Sequence, residues 1–313
     1  MVFRLSLLLL ILCVVSLLVG ANQITWSDFL NPSSNIWLTL TASRLPRLFT
    51  LILIGVGLST SGVILQHIVR NKFVEPATSG GLDAAKLGIL LTIILLPNAT
   101  IITKMTFSLL FCFAASLFFI ALVKQVRFKN TVLIPVLGLM YGSVLTAIAE
   151  FYAYKNNMLQ NMQGWLLGDF SRIVQGHYEL VYLIIPMVAL IYLYAQRFTL
   201  MGMGEDIATS LGLNYIAMSL LGVLLVSVTV ATSVITVGAI PFVGLVIPNL
   251  IALKYGENLS RTLPLVALGG ACLLLISDII GRLVIYPFEV PVGLTVSAIG
   301  GIIFLILIIR GIR

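Results

Sequence analysis

Apolar residues fill most of the chain, and polar residues interrupt them at intervals close to the length of a membrane-spanning helix. Most of the uninterrupted segments approach the ~20 residues that an α-helix needs to cross a bilayer. The ten segments are 3–20, 46–69, 80–96, 105–123, 132–153, 178–195, 216–236, 240–253, 264–286 and 291–310. The eighth is the shortest and contains Pro248. The pattern predicts an all-α, polytopic membrane protein with about ten transmembrane helices in one domain covering residues 1–313.

The longest polar interruption on one side of the predicted bilayer is the segment 196–214. Gly204 frees the backbone to turn, Glu205 places negative charge near a helix N-terminus, and Gly212 is suited to the left-handed position that often ends a helix. We therefore predict a short helix at about 203–212, lying flat on the membrane surface. Its sequence gives an apolar and a polar face, formed by Met203, Ile207 and Leu211 and by Asp206, Thr209 and Ser210. Such a helix either binds a soluble partner or only closes a loop at the interface.

The composition excludes a soluble domain, because 60% of the residues are hydrophobic and 9% are charged. The net charge of +7 does not indicate nucleic-acid binding, because the basic residues are scattered at segment ends. The predicted inner side carries Arg4, Arg70, Lys72, Lys124, Arg127, Lys129, Arg197, Lys254, Arg261, Arg310 and Arg313. The outer side carries Arg44, Arg47, Lys104, Lys155, Arg172 and Arg282. This excess predicts that both termini are cytoplasmic.

The sequence lacks the usual motifs of a hydrolytic enzyme. It has no phosphate-binding loop and no H-E-x-x-H motif, and its two histidines, His67 and His177, are far apart. Its three cysteines lie in apolar segments at unrelated spacing. We therefore predict a non-catalytic protein without a cofactor or a bound metal, whose energy source is a gradient or a partner protein.

Several charged residues lie within or beside the predicted spans. Asp83 and Lys86 are three residues apart, so they either neutralise one another or form part of a proton or ion relay. Asp278 and Arg282 are four apart, with the acid first, which favours a helical ion pair. Arg44 and Arg47 flank Pro46 at the start of the second span, where they are either membrane anchors or a docking site.

Two segments carry small or weakly polar residues at intervals of four. These residues are Gly138, Gly142, Thr146 and Glu150 in the fifth segment, and Gly293, Ser297 and Gly301 in the tenth. Such stripes allow close helix packing in lipid. They are equally suited to the wall of a wide pathway.

Taken in order, several short motifs resemble the permease subunits of ABC importers for iron–siderophore complexes and vitamin B12. The similarity spans nearly the whole chain. The motifs are Arg44-Leu45-Pro46-Arg47, Asn71…Pro76, Trp165-Leu166-Leu167-Gly168, Gly204-Glu205…Ala208…Leu211-Gly212, Phe242-Val243-Gly244-Leu245…Pro248, Leu263-Pro264, Asp278…Arg282 and Glu289…Pro291…Gly293.

The resemblance implies ten helices per subunit, a dimeric permease, two cytoplasmic ATP-binding subunits and an extracytoplasmic binding protein. The implied ATPase-coupling residues are Gly204, Glu205, Ala208, Leu211 and Gly212. The implied docking residues are Arg44, Arg47 and Arg282, and those of an inner gate are Asn71, Phe73, Asn130 and Thr131. The fifth and tenth helices would line the pathway, with Gly138, Gly142, Thr146, Glu150, Gly293 and Ser297.

The chain also departs from this family. The family usually has Pro-His followed by Arg in the eighth helix, where this chain has Pro248-Asn249 and Ala252. Gly300-Gly301 stands where Gly-Ala-Pro is common. Lys72-Phe73, Asp83 and Lys86 look less like the vitamin B12 branch and more like permeases for catecholate-type siderophores.

We therefore expect a permease subunit that passes a ferric siderophore across the bacterial cytoplasmic membrane, powered by ATP hydrolysis in a separate subunit. Its partners would be a second permease subunit, identical or related, two ATP-binding subunits, a siderophore-binding protein and membrane lipid, but not nucleic acid. The alternative is an ion-coupled secondary transporter that uses Asp83, Lys86, Glu150 and Asp278 as a relay.

Overall fold

The computed structural model describes residues 1–20, 34–126 and 133–309, and these residues form helices and connecting turns without a β-strand. We number the α-helices α1 to α14 in chain order. They are Val2–Leu18, Ser34–Thr39, Leu45–Val69, Gly81–Leu95, Ile101–Gln125, Leu133–Lys155, Leu159–Trp165, Ile184–Leu193, Ala195–Gly202, Glu205–Ser210, Tyr215–Thr236, Val243–Tyr255, Leu259–Val284 and Val292–Ile309. A π-helical turn, Leu40–Arg44, joins α2 to α3, and a 3₁₀ turn, Glu179–Leu183, leads into α8.

The prediction of an all-α membrane protein is confirmed, and each of the ten predicted segments contains a helix. In the described part of the chain, six helical stretches are long and apolar enough to cross a membrane. They are Ile36–Val69, Ile101–Gln125, Leu133–Lys155, Tyr215–Thr236, Leu259–Val284 and Val292–Ile309. A seventh span results if Glu179–Leu193 and Ala195–Gly202, which are bent by 64°, are counted together. The apolar helices α1 and α12 are shorter, with 17 and 13 residues.

Local sequence explains where several helices begin. The side chains of Thr100, Asn214 and Asn258 accept hydrogen bonds from backbone N–H groups in the first turns of α5, α11 and α13. These bonds satisfy donors that have no partner inside a helix. Pro46 lies in the first turn of α3, where its missing N–H is tolerated.

Helix α3 forms the centre of the bundle and packs against α11, α12 and α13. The close approach depends on glycine, because a Cβ atom at Gly55 would lie 2.6 Å from the backbone oxygen of Gly270 in α13. A Cβ atom at Gly62 would likewise collide with the backbone of Gly244 in α12. Gly55 and Gly62 of α3 are therefore close-packing positions.

Helices α5, α6 and α14 lie at the periphery and are mostly exposed. Ion pairs identify the two ends of the bundle. We call the end that contains the Lys124–Glu205 pair the Glu205 end. The opposite end, where Arg47 pairs with Asp278 and Glu289, is the Arg47 end.

Candidate functional site

A largely buried network of charged side chains joins α3, α13 and the turn before α14 at the Arg47 end. Arg47 in α3 contacts Asp278 of α13 at 2.6 Å and Glu289, in the turn before α14, at 2.7 Å. Arg282, one turn after Asp278, pairs with the same carboxylate. The Asp278 side chain has no exposed surface, so its charge is compensated by two guanidinium groups rather than by water. The predicted Asp278–Arg282 pair is present, and Arg47 completes it.

The same arginines hold the end of α1. Arg282 donates hydrogen bonds to the carbonyl oxygens of Ser16 and Val19 at 3.0 and 2.8 Å. Arg44 donates to the carbonyl oxygens of Leu17 and Leu18. The last carbonyls of a helix lack partners inside it and carry partial negative charge, which favours cations at this position.

The structure brings the three predicted docking residues together, but it places them in a largely buried position rather than on an exposed surface. Arg44 and Arg282 are 9% and 6% exposed, and the Arg47 side chain is 11% exposed. Each one is hydrogen-bonded within the chain. Contacts with α1, Asp278 and Glu289 cover the three arginines. Their docking role stays a prediction.

The predicted short helix at the Glu205 end is present as α10. It begins after Gly204, whose φ of +113° is accessible to glycine, and Gly212, with a φ of +82°, follows its C-cap Leu211. The N–H of Leu213 donates to the Ala208 carbonyl and that of Gly212 to the Thr209 carbonyl, at 3.0 and 2.9 Å. This pair of bonds is a Schellman motif, which fixes where the helix ends.

One residue of α10, Ala208, is buried against the bundle. The predicted apolar face points outward instead, since Met203, Ile207 and Leu211 are 52%, 47% and 60% exposed. These three residues form the apolar patch of α10. The patch and the acidic first turn together leave most of the helix surface accessible.

Two contacts connect α10 to the bundle at the Glu205 end. Glu205 pairs with Lys124 at the end of α5 at 3.1 Å, and both side chains are more than half exposed. The guanidinium group of Arg70, at the end of α3, lies over Gly204, where a Cβ atom would be 3.1 Å from it. These contacts place α10 beside the ends of α3 and α5.

The connector between α3 and α4, residues 70–80, holds two of the predicted gate residues. Asn71 is buried, and its side-chain oxygen accepts a hydrogen bond from the Phe73 N–H at 2.8 Å. The Phe73 ring packs edge-on against Phe304 of α14, with ring centroids 5.9 Å apart. The other two predicted gate residues, Asn130 and Thr131, lie outside the described residues.

Glu75, in the same connector, was missed by the sequence analysis. It is 3% exposed, and its carboxylate accepts a hydrogen bond from the backbone N–H of Phe242 at 2.9 Å. Phe242 is the N-cap of α12, and no side chain of its own caps that helix. Glu75 therefore supplies the missing cap from a distant part of the chain, and the helix N-terminus compensates its negative charge. Glu75 is the only acidic residue in the sequence of the connector 70–80 and precedes Pro76, and this was the available signal.

Asp83 and Lys86 of α4 form the predicted ion pair, at 3.1 Å, with each side chain 20% exposed. The pair lines a cavity of about 380 Å³ with Thr146 and Glu150 of α6. Three of the four residues of the predicted relay thus share one cavity. The fourth, Asp278, is held by Arg47 and Arg282 instead.

Gly138, Gly142 and Gly293 of the two stripes are packing positions in this conformation. A Cβ atom at Gly142 would lie 2.6 Å from the Asp83 carboxylate, and one at Gly138 would collide with the Thr78 carbonyl. The Gly293 N–H donates to the Gly168 carbonyl at 3.0 Å. Thr146 and Glu150 do face a cavity, and the Ser297 hydroxyl donates to the Gly293 carbonyl at 2.5 Å. Pathway lining stays a prediction for the set.

The model of the FecCD transport family matches residues 8–310 of the chain. The chain belongs to this family. It is 60% identical over 313 residues to the ferric-anguibactin transport system permease protein FatD of Vibrio anguillarum, with both chains fully covered. It is 42% identical to the petrobactin import system permease protein YclN of Bacillus subtilis, with 98% of this chain and 97% of that protein covered.

A solved structure resembles this FecCD chain over its whole length. It is described as a metal-chelate type ABC transporter in an inward-facing conformation, and the TM-score is 0.83 at 26% sequence identity. The match covers 99% of each chain. The resemblance inferred from short motifs is therefore confirmed by family, sequence and fold.

In this FecCD chain, the eighth segment departs from the usual family pattern at Asn249 and Ala252. The Asn249 side chain donates to the carbonyls of Lys72 and Leu245 at 2.8 and 2.7 Å, which joins α12 to the connector. Ala252 lines a cavity of about 210 Å³ together with His67 and Arg70.

Among the described residues, no group of three or more His, Cys, Asp or Glu side chains is arranged to hold a metal ion.

Proposed function

We propose that this FecCD protein is the permease subunit of an ATP-driven importer that carries a ferric siderophore across the cytoplasmic membrane. The observation that carries the proposal is the full-length similarity to a ferric-anguibactin permease, at 60% identity. The likeness to a metal-chelate type ABC transporter, at a TM-score of 0.83, supports the same mode of transport. The finer assignment to catecholate-type siderophores remains a prediction from Lys72-Phe73, Asp83 and Lys86.

The protein acts as a non-catalytic subunit in this proposal, and ATP is hydrolysed by two separate cytoplasmic subunits. Helix α10 is the coupling element, with Gly204 and Gly212 fixing its ends and Glu205 and Leu211 on its accessible surface. Ala208 anchors the helix to the bundle. The apolar patch of α10 and its acidic first turn suit a groove on a soluble partner. This assignment makes the Glu205 end, and both termini, cytoplasmic.

A second permease subunit completes the pathway. The outward faces of α6 and α14 carry large exposed apolar side chains, among them Met140, Phe151, Ile302 and Leu305. These faces suit contact with a second copy, a related chain or lipid. Residues 1–313 form one permease domain in this assembly, and Asn71, Phe73, Asn130 and Thr131 contribute the inner gate.

The extracytoplasmic binding protein docks at the Arg47 end. Because Arg47 already binds Asp278 and Glu289, an acidic residue of the binding protein has to displace one of them. Glu289 is the candidate for displacement, since its side chain is 27% exposed whereas that of Asp278 is fully buried. Arg44 and Arg282 would then position the end of α1 beside the docked protein.

Co-purification tests the proposal against the ion-coupled alternative. The chain, expressed with the ATP-binding and binding-protein genes of its host, should be isolated in detergent as a stable complex with the ATP-binding subunit. Exchange of Glu205 for Arg should weaken that complex, while the matched variant Lys124→Met should not. A carrier that purifies alone under all these conditions would contradict the proposal.

A further inference from the structure

Lys86 lies between two cavities of opposite charge. On one side is the 380 Å³ cavity that it shares with Asp83 and Glu150. On the other side is a cavity of about 440 Å³ between α4, α5, α7 and α11. We call the second one the cationic cavity, because its charged lining residues are Lys86, Lys104, Arg172 and Asp169.

The charges in the cationic cavity are unbalanced. Asp169 is its one acidic lining residue in the described part of the chain, and Arg172 contacts it at 3.4 Å. Lys86 is held by Asp83, whose carboxylate reaches it from the other cavity. Lys86 and Lys104 thus present two ammonium groups to the cationic cavity without an acidic lining residue of their own there. Cations gathered in a cleft with apolar walls attract anions.

The ion pair of Lys86 leaves room for a second ligand. An ammonium group has three N–H donors, and the contact with Asp83 at 3.1 Å uses one of them. Lys86 lines both cavities and its side chain is 20% exposed, so a ligand in either cavity can approach it. A pair that only neutralised two charges would not need to be placed at the boundary of two cavities.

We propose that the cationic cavity binds anionic oxygen atoms of the ferric chelate, with Lys86 as the principal cation and Asp83 as its resident counterion. The inference rests on the proposed function and adds the charge class of the substrate. Lys104 provides a second cation. The cavity accommodates the oxygen atoms at one edge of the chelate rather than the whole chelate. Binding of the chelate requires Lys86 to leave Asp83. Lys86 therefore strengthens binding of the chelate, whereas Asp83 opposes it.

This opposition separates the proposal from a purely structural ion pair. If the pair only stabilises α4, loss of either partner leaves one charge unpaired, and both single variants are impaired in the same way. If Lys86 binds anions, Lys86→Met weakens binding of an anionic chelate. Asp83→Asn frees Lys86 and strengthens that binding. Lys86→Arg keeps the charge and should largely preserve it.

The experiment measures equilibrium binding of two probes to the permease–ATPase complex in nanodiscs, without the binding protein. The probes are iron(III) tris-catecholate, with three negative charges, and the neutral iron(III) tris-acetohydroxamate. We expect Lys86→Met to weaken tris-catecholate binding about tenfold, as for the loss of one charge-assisted hydrogen bond. Asp83→Asn should tighten it severalfold, and neither variant should change binding of the neutral probe. The control Lys254→Met removes an exposed lysine near the end of α12, outside both cavities, and should change neither.

Three outcomes would overturn the inference. These are equal effects on both probes, effects of the same sign in Lys86→Met and Asp83→Asn, or no tris-catecholate binding by the wild type. The proposed function is judged separately, by ATP-driven uptake of the natural cargo with its binding protein. ATP-driven uptake without charge-selective binding would contradict the proposed anion site but not the proposed function. Loss of ATP-driven uptake in the wild type would remove the proposed function.

Discussion

The carboxylate of Glu75 accepts a hydrogen bond from the backbone N–H of Phe242 at 2.9 Å, although the two residues are 167 positions apart in sequence. This bond ties the connector 70–80 to the first turn of α12. Asn249 adds a second tie by donating to the Lys72 carbonyl. Because Phe73 of the same connector packs on Phe304, α12 and α14 are both linked to the predicted inner gate.

We expect Glu75→Ala to destabilise the protein by about 1–3 kcal/mol, because it removes the acceptor of the part-buried Phe242 N–H at the N-cap of α12. Glu75→Gln should cost less, since its amide oxygen can still accept the bond. Thermal unfolding in detergent measures the difference. Glu257→Gln, at an exposed glutamate, is the matched control. Equal stability of Glu75→Ala and wild type would show that the cap is unimportant.

Neutralising Asp278 should destabilise the protein far more than neutralising Asp169. Asp278→Asn leaves two buried guanidinium groups with reduced compensation, and breaking a buried ion pair typically costs about 3–5 kcal/mol. Asp169→Asn removes a partner of Arg172, whose side chain is 68% exposed, so we expect at most about 1 kcal/mol. The yield of folded protein and its unfolding temperature give the comparison. Similar losses in both variants would contradict the importance of the buried network.

The hydropathy pattern located the helices because burial in lipid is decided by local composition. Glycine at 204 and 212 likewise predicted α10, since the left-handed conformation is a local property of the backbone. The network of Arg47 with Asp278 and Glu289 could not be predicted in this way, because it joins positions 231 and 242 residues apart. The spacing of Asp278 and Arg282 revealed their pair but gave no sign that Arg47 completes it.

The small residues at intervals of four allowed two interpretations from sequence. Spacing alone cannot distinguish a packing seam from a pathway wall, because both require small side chains on one face. The backbone approach of Gly55 to Gly270 shows a packing seam in α3.

Gly55→Ala should therefore destabilise the bundle, because the added methyl group would lie 2.6 Å from a backbone oxygen that cannot move freely. We expect a loss of about 1–3 kcal/mol. Gly164→Ala is the matched helical control, since nothing lies within 4 Å of its Cβ position. Unfolding temperatures of the two variants test the prediction, and a Gly55→Ala protein as stable as Gly164→Ala would refute it.

Glu205→Arg should abolish ATP-driven uptake while the protein still inserts and folds. The Glu205–Lys124 pair is more than half exposed, so its loss contributes little to stability. The reversed charge opposes the N-terminus of α10 and the groove of a partner. Uptake and ATPase activity are measured at matched membrane levels, with Lys124→Met as the control. Normal uptake by Glu205→Arg would remove the coupling role.

Reconstituted transport tests the central claim most directly. Proteoliposomes containing the permease and its ATP-binding subunit are given ⁵⁵Fe-labelled siderophore and the binding protein on one side, and ATP on the side of the Glu205 end. The account predicts uptake that requires ATP hydrolysis, stops with vanadate and continues when an uncoupler collapses the proton gradient. Uptake that proceeds without ATP and stops with the uncoupler would contradict it and favour the ion-coupled carrier.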